Sequence, residues 1–263
     1  MIKLALAFSV LLTITSCKQS EIQEIIKSND IDIYHGIEFE MPEVKTTNFP
    51  DYEVRISDFG AVSGGLFKNT DAFAKAINNV NSKGGGRIIV PRGIWLTGPI
   101  TFKSNINLHL EDGSLILFSD NFDDYPLIKT SFEGLHTVRC ISPINAFEVE
   151  NIAITGHGII DGNGDAWRPV KKGKMTSGQW NKLLNSGGIL STDEKIWFPT
   201  ESSKKGYESS SNFNVPDLIG DSELESVKDF LRPVMVSIVS SKRILLDGPT
   251  FQNSPAWNIH PLK

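Results

Sequence analysis

Three short strings carry residue types that can perform general acid–base chemistry: Asn69-Thr70-Asp71, Asp123-Asp124 and Gly156-His157-Gly158. A carboxylic acid that gives a proton and a carboxylate that activates water can together hydrolyse a bond held between them. The first string precedes an apolar stripe at helical spacing, so we interpret it as a helix N-terminus. His157 lies between two glycines, and we interpret it as a turn residue and not as a catalytic base.

The chain has two cysteines, Cys17 and Cys140, in 263 residues. Two cysteines exclude a disulfide framework and a cysteine-rich zinc module. We interpret Cys140, which lies in an apolar segment, as a small buried hydrophobe and not as a reactive thiol. The sequence shows no aspartate cluster of the kind that binds calcium, so we assign no metal site and expect no cofactor.

Composition and charge limit the function classes. The chain has 26 basic and 31 acidic residues, a net charge of −5, and 40% hydrophobic residues. This hydrophobic share is enough for a buried core, which excludes a disordered tail. Nucleic acid is a poor candidate partner, because binding to a phosphate backbone needs clustered positive charge. The 22 glycines and 13 prolines favour a turn-rich β protein over a helical bundle.

The N-terminus has the pattern of an export signal. Lys3 is followed by an apolar run over residues 4–14, which is too short to span a bilayer. The next residues, Thr15-Ser16-Cys17, resemble a bacterial lipoprotein lipobox, which implies lipidation of Cys17; the alternative is an ordinary cleaved signal peptide. We expect a signal peptide over 1–16 and a lipid-anchored tether over 17–50. The protein would then be anchored in the periplasm or at the surface of a bacterial cell.

Residues from 51 onward form short apolar segments separated by glycine and asparagine. An apolar stripe at helical spacing predicts one helix over 70–82. Ile106 and Ile152 are 46 positions apart, which fits two coils of about 23 residues. An antiparallel sandwich would need long strands joined by two-residue turns, which are scarce here. We therefore predict an all-β fold, a parallel β-helix over 51–263, with the helix covering the open end of its first coil.

Residues 165–232 interrupt the short segments and are predicted to form a loop insertion. The insertion contains Trp167, Trp180 and Trp197. Long loops on rigid scaffolds often build binding walls, and tryptophan rings suit sugar faces. We favour the other interpretation, in which the three tryptophans pack the insertion onto the coils.

An ordered set of segments resembles the polygalacturonases, glycoside hydrolase family 28, over about residues 51–263. The resemblance implies a right-handed, pectin-lyase-like parallel β-helix that hydrolyses galacturonan with inversion. The partner it implies is a pectic polysaccharide or an oligogalacturonide. In chain order, the segments are Asp58-Phe59-Gly60-Ala61-Val62 with Asn69-Thr70-Asp71-Ala72-Phe73, Gly84-Gly85-Gly86 through Val90-Pro91-Arg92-Gly93, Thr97-Gly98-Pro99-Ile100, Leu108-His109-Leu110-Glu111-Asp112-Gly113, Ile154-Thr155-Gly156-His157-Gly158-Ile159-Ile160-Asp161-Gly162 with Trp167, and Arg232-Pro233 into Asn253-Ser254-Pro255-Ala256-Trp257-Asn258-Ile259-His260-Pro261.

The same resemblance implies that the catalytic aspartates follow the segment from Trp257 to Pro261. No position of this chain matches them, and Asp123-Asp124 matches a non-catalytic segment. We therefore expect the catalytic residues beyond Lys263, a β-helix that is incomplete at its C-terminus, and no hydrolysis by this chain alone. Trp257 and His260 would lie beside the missing coil and are candidate substrate-binding residues, although both could equally be core or turn residues.

Two other functions stay open at this point. One is a surface-anchored, non-catalytic β-helix lipoprotein that binds polysaccharide. The other is a pectate lyase, which shares the architecture but usually needs calcium-binding carboxylates. The complete protein is expected to be a monomer.

Overall fold

The structure is a computed structural model that describes residue 34 and residues 36–217 and 220–262. The predicted signal peptide, Cys17 and part of the predicted tether lie outside these residues. The chain divides into two compact units between Lys45 and Thr46. In the first unit, the Val44 amide donates a hydrogen bond of 2.7 Å to the Tyr34 hydroxyl. None of the helices in the described ranges has the length and apolar character needed to cross a bilayer.

The second unit consists mainly of short strands. In chain order, the strands of the described residues are β1 (Glu53–Arg55), β2 (Gly86–Val90), β3 (Gly93–Thr97), β4 (Ile100–Thr101), β5 (Ile106–Leu110), β6 (Ser114–Phe118), β7 (Leu127–Phe132), β8 (Leu135–Cys140), β9 (Ile144–Phe147), β10 (Glu150–Gly156), β11 (Ile159–Asp161), β12 (Val170–Lys171), β13 (Ile189–Leu190), β14 (Ile196–Phe198), β15 (Val236–Val239), β16 (Lys242–Asp247), β17 (Thr250–Gln252) and β18 (Ile259–Leu262).

Three parallel sheets run along this unit. Sheet A has the order β1-β2-β5-β10-β16, sheet B the order β17-β11-β6-β3, and sheet C the order β18-β15-β9-β4. The chain visits sheets A, B and C in turn, so that β2, β3 and β4 form one coil and β5, β6 and β9 form the next. The predicted parallel β-helix is therefore confirmed.

Inward-pointing side chains set the register between coils. Equivalent positions of sheets A and B carry large apolar residues, and these belong to one continuous core. Because side chains alternate along a strand, a slip of one residue would turn each of them outward. The aligned rows are Ile88, Leu108, Ile154 and Leu246 in sheet A, and Trp95, Ile116, Ile160 and Phe251 in sheet B.

The predicted coil length needs correction. Ala153 pairs with Asn107 across β10 and β5, so a spacing of 46 residues separates neighbouring coils and does not span two of them. This coil is long because the chain leaves the β-helix between β6 and β9. The preceding coil is short, since Gly86 pairs directly with Ile106.

The predicted helix is confirmed as α1 (Thr70–Ser82). Its apolar stripe, which includes Phe73, Ile77 and Val80, is buried in the same core as the first coils. Asn69 stands at its N-cap position, but the Asn69 side chain makes no capping hydrogen bond. Its amide instead bonds the backbone of Val62, Phe67 and Leu96, which fixes the loop before the helix against β3.

Two excursions leave the β-helix at the corner between sheets B and C. The first contains an antiparallel hairpin, β7–β8, whose turn residues Glu133 and Gly134 have φ of 53° and 82°. We call the second, residues 162–235, the insertion. It contains the antiparallel strands β12, β14 and β13 and the helices α2 (Ser177–Asn185), α3 (Glu201–Ser209) and α4 (Asp221–Ser226).

The three tryptophans of the insertion are buried, as our packing interpretation expects. Trp167 makes edge-on contacts with Phe122 and Tyr125, which lie in the first excursion. The Trp197 indole donates a hydrogen bond of 2.7 Å to the Gly187 carbonyl. Trp167 therefore packs the insertion against the first excursion, whereas Trp197 forms its hydrogen bond within the insertion.

Candidate functional site

A groove of about 1060 Å³ lies over the outer face of sheet C. The sheet contributes Asn145, Phe147, Val239 and Leu262 to its floor. These residues point outward because their neighbours, such as Ile144 and Ile238, face the core. The two excursions supply the walls, so the same corner of the coils that interrupts the repeat also encloses the groove.

The walls differ in character. The β7–β8 hairpin contributes Lys129, Ser131 and His136, whereas the insertion contributes Val215 and Pro216. No aspartate or glutamate is among the described residues that line this groove. A groove with basic and hydroxyl side chains and no lining carboxylate suits an anionic polymer better than a cationic one.

The tip of the hairpin connects three segments of the chain. The Trp257 indole donates a hydrogen bond of 2.8 Å to Glu133 Oε1, and the Asn214 amide donates one to Glu133 Oε2. The Glu133 backbone N–H donates a bond of 3.0 Å to His260 Nε2. We call this set, Glu133, Asn214, Trp257 and His260, the clasp. It joins the hairpin, the insertion and the last described coil.

Trp257 and His260 are the two substrate-binding residues predicted from the sequence, and the clasp brings them together. Trp257 is 55% exposed although its indole N–H is held by Glu133, so the ring has a fixed position and an open surface. An indole with one bonded edge and one free face is suited to pack against a sugar ring. Its contact with a substrate stays a prediction.

His260 is half-buried and its ring stacks on Phe132 with centroids 5.8 Å apart. Because Nε2 accepts a hydrogen bond from a backbone N–H, the hydrogen of the neutral ring is on Nδ1. Nδ1 is buried and has no partner among the described residues. Burial lowers the pKa of His260 and the nearby Glu133 carboxylate raises it, with burial the larger effect. The ring is therefore neutral at pH 7.

Arg139 attaches the hairpin to the insertion. It is 1% exposed, and its guanidinium lies 4.1 Å from the ring centroids of both Phe132 and Phe213. It donates hydrogen bonds to the carbonyls of Phe213, Asn214 and Arg232. Burial, and secondarily the positive charge of Arg232, lower the pKa of Arg139 to about 9. Among the described residues, the buried guanidinium thus contacts carbonyl oxygens and aromatic faces, and its Nε has no hydrogen-bond partner there.

The three strings with acid–base residue types lie away from the groove lining. Asp124 forms an ion pair of 2.5 Å with Lys68, and Asp123 is in the same short 3-10 helix. His157 is exposed and lies 3.3 Å from Asp112. Thr70 is the first residue of α1. The structure therefore gives these strings structural or surface positions.

Cys140 is buried, and burial raises the pKa of its thiol to about 12. This agrees with its interpretation as a small hydrophobe, since the reactive thiolate form is disfavoured. Across residues 34, 36–217 and 220–262, no group of three or more histidine, cysteine, aspartate or glutamate side chains is placed to hold a metal ion.

Sequence reasoning missed Glu133, the centre of the clasp. A usable signal was present, because Glu133-Gly134 separates two segments of six residues that form the hairpin strands. Two-residue turns with positive φ at both positions favour glycine at the second. Arg139 carried no such signal, because nothing in its neighbours predicts burial of a charge.

No protein-family model matches the chain. An exo-poly-alpha-D-galacturonosidase of Dickeya chrysanthemi is 38% identical over 165 residues, which is 57% of this chain and 27% of that protein. A probable polygalacturonase of Vitis vinifera is 26% identical over 220 residues, which is 80% of this chain and 34% of that protein.

Among solved structures, the chain is similar to a hyperthermoactive exopolygalacturonase from Thermotoga maritima. The TM-score is 0.57 and the identity 31%, and the match covers 83% of this chain and 45% of that structure. The chain therefore spans about a quarter to a third of the curated relatives named here, and less than half of this structure.

Proposed function

We infer that this chain, which is related in sequence and fold to the polygalacturonases, is part of a pectin-degrading glycoside hydrolase. The observation that carries the proposal is the groove on sheet C, whose described lining includes Lys129 and no carboxylate. The exposed Trp257 lies outside this lining and is held by Glu133 at the tip of the hairpin that forms one wall. Galacturonan is a linear polyanion, so Lys129 would meet its carboxylates with charge-assisted hydrogen bonds. The names of the relatives support the same substrate class.

In this proposal the clasp is the sugar-binding part of the described chain. Trp257 supplies an aromatic face for a sugar ring, and His260 lies in the next strand on the same side of sheet C. Glu133 is a positioning residue, because it fixes the Trp257 indole through one carboxylate oxygen and His260 through its backbone N–H. An aromatic platform that is already oriented loses less entropy on binding.

The proposed reaction is hydrolysis with inversion. It needs one carboxylic acid to protonate the leaving oxygen and one carboxylate on the opposite face to activate water, with room between them for that water. The described groove lining offers binding groups but no carboxylate. The proposal therefore gives these residues a binding role and predicts that the chain as given binds the pectic polymer without cutting it.

Cellular location is a separate part of the proposal. The apolar run over residues 4–14 and the cysteine at position 17 support export and lipid anchoring through Cys17. Mass spectrometry of protein purified from membranes tests this directly. We expect a mature N-terminus at Cys17 that carries acyl chains, and an unmodified N-terminus elsewhere would contradict it.

The binding experiment uses isothermal titration of the 263-residue chain with oligogalacturonate, alongside a reducing-end assay on polygalacturonate. We expect binding without release of reducing ends. Trp257→Ala should weaken binding roughly fivefold, which corresponds to about 1 kcal/mol for one aromatic contact. Phe67→Ala is the matched control, because Phe67 is a similarly exposed aromatic that lies in the loop before α1 and does not belong to the clasp. Equal affinity of both variants for the ligand would contradict the assigned site.

Glu133 is tested in the same assay. Glu133→Ala removes the acceptor of the Trp257 indole and should weaken binding about as much as Trp257→Ala. Glu133→Gln keeps one carbonyl oxygen for that indole and should restore most of the affinity. If Glu133→Gln and Glu133→Ala lose the same affinity, the carboxylate does not act by positioning Trp257.

A second candidate function is a non-catalytic polysaccharide-binding protein, and the groove without lining carboxylates is the observation that favours it. The coding sequence downstream of codon 263 separates the two. An Asn-Thr-Asp-Gly-x-Asp string in frame or after a frameshift supports the hydrolase, and an unrelated gene at that position supports the binding protein.

A further inference from the structure

A second cavity, of about 540 Å³, lies within the insertion and shares no lining residue with the groove. We call it the insertion pocket. Three cationic side chains line it, Arg168, Lys171 and Arg232, together with the rings of Tyr207 and Phe213. Ser210, Ser211 and Phe213 line this pocket, and Val215 and Pro216 line the groove, so one segment of chain borders both.

The positive charge of the insertion pocket is only partly balanced. Arg168 pairs with Asp165, which does not line the pocket. In the described ranges, Arg232 forms no ion pair with a carboxylate, and neither does Arg139, which also contacts the Phe213 ring. Arg232 places Nη1 on the Pro255 carbonyl at 2.8 Å, which leaves other guanidinium N–H groups for a further acceptor.

Buried cations are normally paired, because removing a charge from water is costly. Burial, followed by repulsion from Arg168, lowers the pKa of Arg232 to about 10. An anion in the pocket would relieve this cost for Arg232 and would also meet Lys171, whose side chain is exposed. None of the described residues that line the pocket is acidic, so no carboxylate among them competes with such an anion.

We propose that the insertion pocket binds a carboxylate-bearing sugar unit, with the carboxylate on Arg232 and Lys171 and the sugar ring beside Tyr207. The Tyr207 ring is 45% exposed and rests on Phe198 at 5.2 Å between centroids, so it has a free surface in a fixed place. Ser210 and Ser211 add hydroxyl groups for the sugar. The choice of a uronic acid as the sugar rests on the proposed function, whereas anion binding rests on the pocket alone.

The test is a titration of the full 263-residue chain with galacturonic acid, in which binding is measured by NMR or calorimetry. We expect Lys171→Gln and Arg232→Gln to weaken binding to the pocket about tenfold, the effect of one charge-assisted hydrogen bond. Lys174→Gln is the matched control, because Lys174 is an exposed lysine of the same insertion that does not line the pocket. Thermal unfolding of each variant checks folding, and Lys171→Gln keeps the test valid if Arg232→Gln fails to fold.

Other ligands and variants separate the outcomes. Neutral galactose should bind at least tenfold more weakly than galacturonic acid, and equal binding would overturn the proposal. Sulfate that binds as tightly as galacturonic acid, with the same loss in Lys171→Gln, would also overturn it by showing a general anion site. Trp257→Ala should leave the affinity of the insertion pocket for galacturonic acid unchanged. Failure of the proposed function would therefore show as unchanged oligogalacturonate affinity in Trp257→Ala, and failure of the pocket proposal as unchanged galacturonic acid affinity in Lys171→Gln.

Discussion

Two corners of the coils differ in the length of their turns: the first corner, between sheets A and B, and the second corner, between sheets B and C. Between sheets A and B the chain turns within two or three residues in every described coil, at 91–92, 111–113, 157–158 and 248–249. Between sheets B and C it turns equally sharply only at 98–99, and the later coils carry residues 119–143, 162–235 and 253–258 there. Every group that we assign to a binding role comes from the second corner or from the strand that follows it.

Contact between backbones explains why the turns of the first corner have a nearly constant length. A Cβ atom on Gly156 would lie 2.0 Å from the Leu110 carbonyl oxygen, and one on Gly248 would lie 2.3 Å from the Gly156 carbonyl oxygen. Successive turns therefore touch without side chains between them, and a longer turn would break the stack. At the second corner, a Cβ atom on Gly164 would lie 2.2 Å from the Ser254 carbonyl oxygen, so the last two described turns also touch. These turns nevertheless differ greatly in length, 162–235 against 253–258, so this corner accommodates binding groups while the coils stay in register.

The largest expected effect tests this comparison directly. Gly156→Ala should destabilise the protein by about 3 kcal/mol or more, because φ is +91° and the added Cβ meets backbone. Gly173→Ala in the insertion should change stability by less than about 0.5 kcal/mol, because nothing lies within 4 Å of its added Cβ. Urea unfolding followed by circular dichroism measures both. Equal stability of the two variants would show that the first corner is not tightly constrained.

The same contrast separates the features that the sequence predicts from those that it does not. The coils follow from local rules, since short apolar strands, glycine corners and the stripe of α1 each have a pattern that predicts them. The coil length was misread because residues 119–143 lie outside the repeat. The clasp depends on contacts between Glu133, Asn214 and Trp257, which are far apart in the chain. No local pattern encodes such a contact, and burial of Arg139 depends on Phe213 in the same way.

The second-largest expected effect concerns the contacts of Arg139 that join the hairpin to the insertion at the second corner. Arg139→Met keeps an apolar stem between Phe132 and Phe213 but removes the donors to three backbone carbonyls. We expect a loss of about 2 kcal/mol, because those buried carbonyls lose their partners. Limited proteolysis should then cleave the insertion before the coils.

The control for that variant is Arg87→Met. Arg87 is half exposed and forms a surface ion pair of 3.6 Å with Glu53 on sheet A. Such pairs contribute about 0–1 kcal/mol, so the control should change little. If Arg139→Met were as stable as Arg87→Met, the insertion would be anchored by its apolar contacts alone.

The smallest effect is a pH dependence. Burial holds the pKa of His260 below its ordinary value of about 6.5. At pH values between the lowered pKa of the folded chain and about 6.5, the unfolded chain binds a proton that the folded chain does not. The free energy of unfolding therefore rises with pH through this window and falls as pH drops below about 6.5. His260→Gln should reduce the slope of stability against pH in this window. An unchanged slope in His260→Gln would place the titrating group elsewhere, with His109, whose pKa is also lowered by burial, as the next candidate.

The long separation in sequence between Arg139 and its hydrogen-bond partners has a consequence for synthesis on the ribosome. The hairpin emerges long before Phe213, Asn214 and Arg232, which later cover the guanidinium. Coils can stack one after another as they leave the exit tunnel, since each needs only its predecessor. The floor of the groove includes Leu262, so the groove is completed last among the described parts, after both of its walls have been synthesised.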